Sequence, residues 1–438
     1  KFSSSVAATF SSGSPIVNVA VNDINYDGSL DVLLSTSDGG NNITARILLN
    51  AGTSTFTEGS VITGLIDQPL LFDWNGDLRT DILAPTRDGV AVFLNNGTGA
   101  FGGPAYPGLP ALTSPHSNSF LDINGDCHAD IVFTEKASPS SNKTLLNIWI
   151  WNSTFAHNIS YDLPDGVGQL TFADFNRDGS IDMAFPVCFP ARSCSVATSI
   201  VVAATVQMGI CGSVMSSSRC RSMTDMCRAD PEWHFPSLTS AVTAESVTVI
   251  PKSIFDSYGV RLFTAPSMPL TLRAGDYNLD GYPDLLVPVI DKTTNVVSTM
   301  LWESLLCNST LCPELPWTNA KKQQTNQRTF RPRSQGTEEL AKIRGAHAAA
   351  FVDFGENGML GIIALSDSTY DPNTTAGVRK IRALFNNFRP DALFIKALGL
   401  NGVCTEWCPT GAKFPDPKPY GVSYPGGSWK FALNDSAG

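Results

Sequence analysis

Histidine is scarce in this chain, five residues out of 438, and none of them stands in an H-E-x-x-H pattern. Neither a G-x-S-x-G elbow nor a G-x-x-x-x-G-K-[ST] loop occurs, so the common signatures of zinc hydrolases, serine hydrolases and nucleotide-binding enzymes are missing. Charge is thin as well, 16% of residues against 42% hydrophobic, and bases are outnumbered by acids, 30 to 40, for a net charge of -10. A phosphate backbone needs a basic face, so nucleic acid is not expected as a partner. No apolar run approaches the roughly 20 residues of a membrane helix; membrane attachment would have to come through a span not present in this chain. No stretch sustains the 3.6-residue apolar period of a packed helix pair, which removes the helical solenoids. What the chain has instead is 36 Gly and 28 Pro cutting it into short apolar runs, the pattern of an all-β protein.

One of those runs follows a dense acidic turn, "DINYDGSLDVLL" from Asp23. The same arrangement returns as "DWNGDLRTDILA" from Asp73, "DINGDCHADIVF" from Asp122, "DFNRDGSIDMAF" from Asp174 and "DYNLDGYPDLLV" from Asp276, and a decayed copy, "DFGENGMLGIIA", starts at Asp353. The regular copies begin 50, 49, 52 and 102 residues apart. A fixed period of this size marks a solenoid, a propeller or an array. Runs such as "RILLN", "VAVFLNN" and "LNIWIWN" give each unit about four short strands, the content of one propeller blade. Six copies plus one lost near residue 225 predict a seven-bladed β-propeller over residues 1–386, with six and eight blades as the alternatives. Two stretches read as insertions, a cysteine-rich one at about 188–233 and a basic one at about 310–345. A ring without free sheet edges needs a strand from the other terminus in its last blade, and residues near the N-terminus are expected to supply it. Residues 387–438 are expected to begin a C-terminal β segment. The chain starts at Lys1 rather than Met and stops at Gly438 without a cap or polar tail, so it is read as processed or truncated at one or both ends.

Oxygen donors at positions 1, 3, 5 and 9, with a main-chain carbonyl near 7, suit a hard divalent cation wrapped by a short turn. The candidate ligand sets are Asp23, Asn25, Asp27 and Asp31; Asp73, Asn75, Asp77 and Asp81; Asp122, Asn124, Asp126 and Asp130; Asp174, Asn176, Asp178 and Asp182; and Asp276, Asn278, Asp280 and Asp284. Calcium is favoured over magnesium because the donors are all oxygen, numerous and flexibly held, and soft metals find no His or thiolate set. About five calcium sites follow, with the ions pinning loops rather than signalling. The competing reading is an acidic turn held by Asx hydrogen bonds alone. Gly28, Gly179 and Gly281 occupy position 6, where a positive φ is expected; the second and third loops carry Leu78 and Cys127 there and place Gly76 and Gly125 two residues earlier, which predicts extra strain in those two. An EF-hand-like reading fails because "VLL", "ILA", "IVF", "MAF" and "LLV" after position 9 are too short for helices. His128, inside the third loop, reads as a solvated side chain.

Ten cysteines without a C-x-x-C zinc pattern indicate an oxidising compartment. The close pairs Cys188 and Cys194, Cys307 and Cys312, and Cys404 and Cys408 would each close a small loop; Cys127, Cys211, Cys220 and Cys227 cannot be paired from sequence. Asn42, Asn96, Asn142, Asn152, Asn158, Asn308, Asn373 and Asn434 each begin a glycosylation triplet. Together these predict an extracellular or cell-surface protein of the secretory pathway.

On their fifty-residue period the loops resemble the FG-GAP repeats of integrin α-subunit propellers, "FGGPAYPG" from Phe101 being the nearest trace of the name-giving elements. The stretch at 384–409, "LFNNFRPDALFIKALGLNGVCTEWCP", with "YGVSYPGGSW", "NDSAG" and "GDYNLDGYPDLLV" from Gly275, resembles the T-cell immunomodulatory protein family. That resemblance implies a secreted or type I membrane glycoprotein whose calcium-binding propeller is followed by a β-rich segment and a single span. Its calcium ligands carry over at the five regular loops; the Asp353 copy, with Gly355, Asn357 and Gly361 at donor positions, is expected to bind nothing. The expected function is binding of an extracellular protein or glycan ligand in adhesion or signalling. The alternatives are self-association into a fibre or surface layer and a polysaccharide-acting enzyme; the regular carboxylates are committed to cations, leaving no acid and base pair to nominate, so the chain is read as no enzyme. The basic residues Lys321, Lys322, Arg328, Arg331 and Arg333 read as a solvated loop, with a sulfated glycan or acidic partner as the other possibility.

Overall fold

The computed structural model describes residues 2–387 apart from 11–13, 28–30, 38–41, 51–55, 114–116, 137–142, 190–195, 209–226, 237, 239–246, 265–269, 313–327, 355–357 and 372–378. The chain is all-β. Strand β1 (Phe2–Phe10) is followed by a first antiparallel sheet of β2 (Ile16–Asn22), β3 (Asp31–Ser37), β4 (Ile43–Asn50) and β5 (Phe56–Leu65). A second holds β6 (Leu70–Phe72), β7 (Asp81–Thr86) and β8 (Gly89–Phe93), extended by a bridge from Val92 to Ala105 and joined to the first at Leu65 and Thr86. The third is β9 (Asn118–Leu121), β10 (Asp130–Lys136), β11 (Thr144–Trp151) and β12 (Phe155–Asp162); the fourth is β13 (Thr171–Ala173), β14 (Asp182–Phe189), β15 (Val196–Ala203) and β16 (Val247–Pro251). After helix α1 (Lys252–Ser257) the fifth sheet contains β17 (Val260–Leu262), β18 (Arg273–Gly275), β19 (Asp284–Asp291), β20 (Val297–Leu306) and β21 (Arg328–Pro332). Helix α2 (Glu338–Ala341) leads to β22 (Ala346–Val352), β23 (Gly361–Asp367) and β24 (Arg379–Asn386). The sixth sheet takes its fourth strand from the other end of the chain: β1 runs antiparallel to β24, from Phe2 opposite Asn386 to Phe10 opposite Arg379.

Each sheet is covered on both faces, which explains why the second strand of a unit reads as an unbroken apolar run rather than an alternation. In β19, "DLLVPVID", seven consecutive residues are buried. The contacts run in sequence. Leu33 and Ile47 of the first sheet pack on Ile82 and Ala91 of the second, Leu83 and Val92 on Ile131 and Phe133 of the third, and Leu146 and Ile148 on Met183 and Val201 of the fourth. Ala184 and Ile200 then meet Leu285 and Trp302 of the fifth, and Leu286 and Leu301 meet Ile362 and Leu384 of the sixth. The sixth returns to the first through Ile363, Leu365 and Ile381 against Ile16, Val19 and Leu34. The six sheets therefore close on one another.

The expected seventh sheet is not found among the described residues. The interval of 102 residues is one sheet with a long excursion, 204–246, between its third and fourth strands, followed by α1 and β17 before the next unit begins. Parts of both supposed insertions are strands: β15 lies within the cysteine-rich one and β21 within the basic one, where it completes the fifth sheet by pairing with β20. The expected C-terminal segment, from residue 388 on, falls outside the described residues.

Candidate metal-binding loops

With β18 counted as the first strand of the fifth sheet, since β17 pairs only with the far end of β19, all five regular motifs join the first strand of a sheet to the second, at β2–β3, β6–β7, β9–β10, β13–β14 and β18–β19, so they share one end of the structure. The ninth-position aspartate is in every case the first residue of the second strand, and Asp31, Asp81, Asp130, Asp182 and Asp284 are all fully buried. One oxygen of each accepts a main-chain N–H from the end of the third strand or just beyond: Asn50 at 2.8 Å, Asn95 at 2.9 Å, Trp151 at 3.0 Å, Thr205 at 2.8 Å and Ser304 at 2.8 Å. The second oxygen accepts the position-2 N–H in the first four loops, from Ile24, Trp74, Ile123 and Phe175 at 2.8, 3.0, 3.3 and 3.0 Å. In the fifth, Asp284 Oδ2 is buried with no hydrogen-bond partner.

The remaining donors repeat with the same regularity. The position-1 carboxylate accepts from the turn it opens, as Asp73 does from Leu78 N–H at 2.9 Å, Asp174 from Gly179 at 2.8 Å and Asp276 from Gly281 at 2.8 Å. The asparagine carbonyl accepts the position-5 N–H, 3.0–3.2 Å away in all five loops, while its amide donates to the position-5 carboxylate. Two positions, 4 and 6, adopt positive φ. Tyr26, Arg177 and Leu279 do so at position 4, followed by Gly179 and Gly281 at position 6; the second and third loops reverse the order, with Gly76 and Gly125 at position 4 and Leu78 and Cys127 at position 6. Gly28 lies outside the described residues. Loops two to five thus each place one glycine and one ordinary residue in the left-handed region, the latter costing about 1–2 kcal/mol. The extra strain expected for loops two and three is not there; it is shared.

Electrostatics oppose an ion-free loop. Burial, followed by neighbouring carboxylates of the same loop, pushes Asp130 and Asp284 up to about 8 and Asp81 to about 6, and raises Asp31, Asp122, Asp174, Asp182 and Asp276. None of the five ninth-position carboxylates has a Lys or Arg ion-pair partner among the described residues. A donor set of three carboxylates with no organic cation fits a divalent metal ion, and the orphaned oxygen of Asp284 leaves a lone pair for one. Among the described residues no three His, Cys, Asp or Glu side chains are gathered closely enough to hold a metal by themselves, so a seated ion would draw also on the asparagine and main-chain oxygens. In the sixth sheet the ninth position is Gly361, where a side chain would run into Leu384 O at 2.6 Å and the Phe354 ring at 2.8 Å, and Phe354 packs on Phe385.

Several residues around the loops carried no signal in the repeat. The Tyr26 hydroxyl accepts the Thr80 N–H of the next loop, Asn22 Nδ2 donates to Thr80 Oγ1 at 3.0 Å, and Asn95 Nδ2 donates to Ile24 O at 2.9 Å. Trp151 lies 3.1 Å from where a Cβ on Gly76 would sit. Arg328 stacks 3.5 Å from the Tyr282 ring centre and Arg177 lies 5.9 Å from it. Adjacent loops are therefore braced against each other.

Cys307 is joined to Cys312, and Cys127, at position 6 of the third loop, to Cys227 in the excursion. Cys188 is in a disulfide too; Cys194, Cys211, Cys220, Cys404 and Cys408 lie outside the described residues. Of the glycosylation candidates, Asn96, Asn152 and Asn308 are exposed and Asn42 is half-buried, accepting from Arg87 at 3.0 Å. Asn142, Asn373 and Asn434 and the side chain of Asn158 lie outside the described residues. His128 is exposed, as expected. Lys321 and Lys322 are not described, but Arg328, Arg331 and Arg333 are no free loop: they bond Ser304 O at 3.0 Å, Leu311 O at 2.6 Å and the Glu303 carboxylate at 2.8 Å.

Residues 73–133 match the FG-GAP-like repeat family. The T-cell immunomodulatory protein homolog of Plasmodium yoelii yoelii is 28% identical over 97% of this chain and 64% of its own length. The human T-cell immunomodulatory protein is 29% identical and the Mus musculus protein 30%, each over 85% of this chain and 53% of its own length. The resemblance legible in the sequence is thus borne out over most of the chain, which itself spans about half to two thirds of the length of these curated relatives. Among the described residues, no helix is long and apolar enough to cross a membrane.

Proposed function

We propose that this chain is a six-bladed β-propeller of the FG-GAP type, loaded with calcium at five loops, that acts outside the cell as a rigid module for binding a protein or glycan ligand. The observation that carries the reading is the buried, cation-free aspartate at the head of the second strand in five successive sheets, which suits a divalent ion and nothing else in the chain. Calcium here is structural: it neutralises the loops and fixes the braces between neighbouring blades, as with Tyr26 and Thr80. The disulfides suit an oxidising compartment, and the names of the relatives are those of immunomodulatory proteins, which favours recognition over catalysis. Self-association into a fibre or surface layer gains no support from the described residues.

Binding of labelled, calcium-saturated protein to cells tests the proposal. Saturable binding that is lost on treating the cells with protease or glycosidase, and lost on chelation, is expected. Calcium-loaded, folded protein that shows no saturable binding to cells, extracellular proteins or glycans would remove the interaction role.

A further inference from the structure

The ends of the first strands opposite to the acidic loops form a second polar site, unlike the first in sign. Each sheet brings a polar side chain there: Asn18, Gln68, Ser117, Gln169, Thr271 and His347. Most bond across sheets rather than within them. Asn18 Nδ2 donates to Gln68 Oε1 at 2.9 Å, Thr271 Oγ1 to Gln169 Oε1 at 2.5 Å, and Leu170 N–H to Ser117 Oγ at 2.8 Å, while His347 Nε2 lies 3.0 Å from Ile16 O. Bonds between residues fifty or more positions apart show that the first strands converge.

In this collar stands a permanent cation, Arg273, the first residue of β18. Its Nη2 donates to Asn18 Oδ1 at 3.1 Å, and it has no ion-pair partner among the described residues, in a protein of net charge -10. Arg273 and Asn18 line a cavity of about 20 Å³ together with Thr271, His347 and the small side chains of Ala348 and Ala350, room for one or two occupants of water's size. His347 is buried, and burial holds its imidazole below the ordinary value, so it adds no second positive charge. Arg273 is half-buried; a guanidinium drawn partly out of water without a carboxylate favours a negative companion, and its remaining N–H groups can point at an anion. We propose that this axial cavity binds one small monovalent anion of about chloride's size, held by the guanidinium of Arg273.

Bromide is the probe. With calcium saturating in every arm and ionic strength fixed, sodium bromide replaces sodium isethionate, whose anion is too large for the cavity, while thermal unfolding is followed. The melting temperature of the native chain should rise saturably with bromide. Arg273→Gln should abolish the rise or weaken the apparent affinity more than about tenfold, and Arg273→Lys should retain part of it. A crystal soaked in bromide should show an anomalous peak beside Arg273 and Asn18, which decides the matter if Arg273→Gln does not fold. Equal responses of the native and Gln chains, or bromide peaks elsewhere and none in the cavity, would overturn the assignment.

Discussion

In calcium-free buffer this protein should be more stable at pH 5 than at pH 8. The ninth-position carboxylates set the sign. An acid held in the folded state above its unfolded value of about 3.9 costs nothing below that pH; the cost grows as pH rises and is complete at the folded pKa. Burial, and then repulsion from Asp126 and Asp122, holds Asp130 at about 8. The shift of about four units, at 1.36 kcal/mol each, amounts to about 5–6 kcal/mol, of which about 3 kcal/mol builds up between pH 5 and pH 7. Asp284 repeats this, and Asp81, at about 6, adds about 1.4 kcal/mol between pH 5 and pH 6. Side-chain relaxation and water penetration reduce the sum to a few kcal/mol. A bound divalent ion reverses the sign: it holds the carboxylates ionised and low, so stability is present at neutral pH and lost as pH falls. Urea unfolding at pH 5, 6, 7 and 8, on chelator-stripped protein dialysed into calcium-free buffer and on the same protein with calcium, should give slopes of opposite sign. A calcium-free curve that rises with pH in parallel with the loaded one would refute the electrostatic argument.

Three further outcomes are expected. Asp174→Ala removes a carboxylate that accepts from Asp178 and Gly179; it should cost about 1–3 kcal/mol in calcium and much less in chelator, by urea unfolding in both. Deleting residues 1–10 leaves β24 as an open edge, and light scattering should show species with more subunits than the full chain forms. Cys227→Ser opens a bridge between residues 100 positions apart and should cost about 2–5 kcal/mol under non-reducing conditions; unfolding midpoints unchanged from the native chain would show that the bridge does not tie the excursion to the third loop.

The acidic loops were legible in the sequence because their information is local. Nine consecutive residues contain the donors and the turn, and the run that follows each, such as "DIVF" after His128 and Ala129, is already the second strand. Ring closure by the N-terminal strand followed from the need to leave no free edge. The number of sheets was not legible, because spacing counts residues and not strands: 102 residues between Asp174 and Asp276 hold one sheet and an excursion, and nothing in "VTVIP" says that it pairs with Val196–Ala203 across more than forty residues. The basic stretch was misread for a related reason. Arg328 and Arg331 point to solvent in any composition-based view, yet their stems and guanidinium groups close the fifth sheet over Ser304 and Leu311. The strain assigned to Leu78 and Cys127 assumed one left-handed position where the turn has two. Arg273 carried no signal, since its neighbours Asn18 and His347 come from sheets at the far ends of the chain.

Equilibrium dialysis against labelled calcium at about 1 mM free ion, a concentration that loads extracellular modules, tests the central claim most directly. The account predicts about five ions bound per chain, one for each regular loop and none at the Asp353 turn, where Gly355 and Gly361 stand at donor positions. A chain that is folded in this buffer and retains no calcium would contradict it.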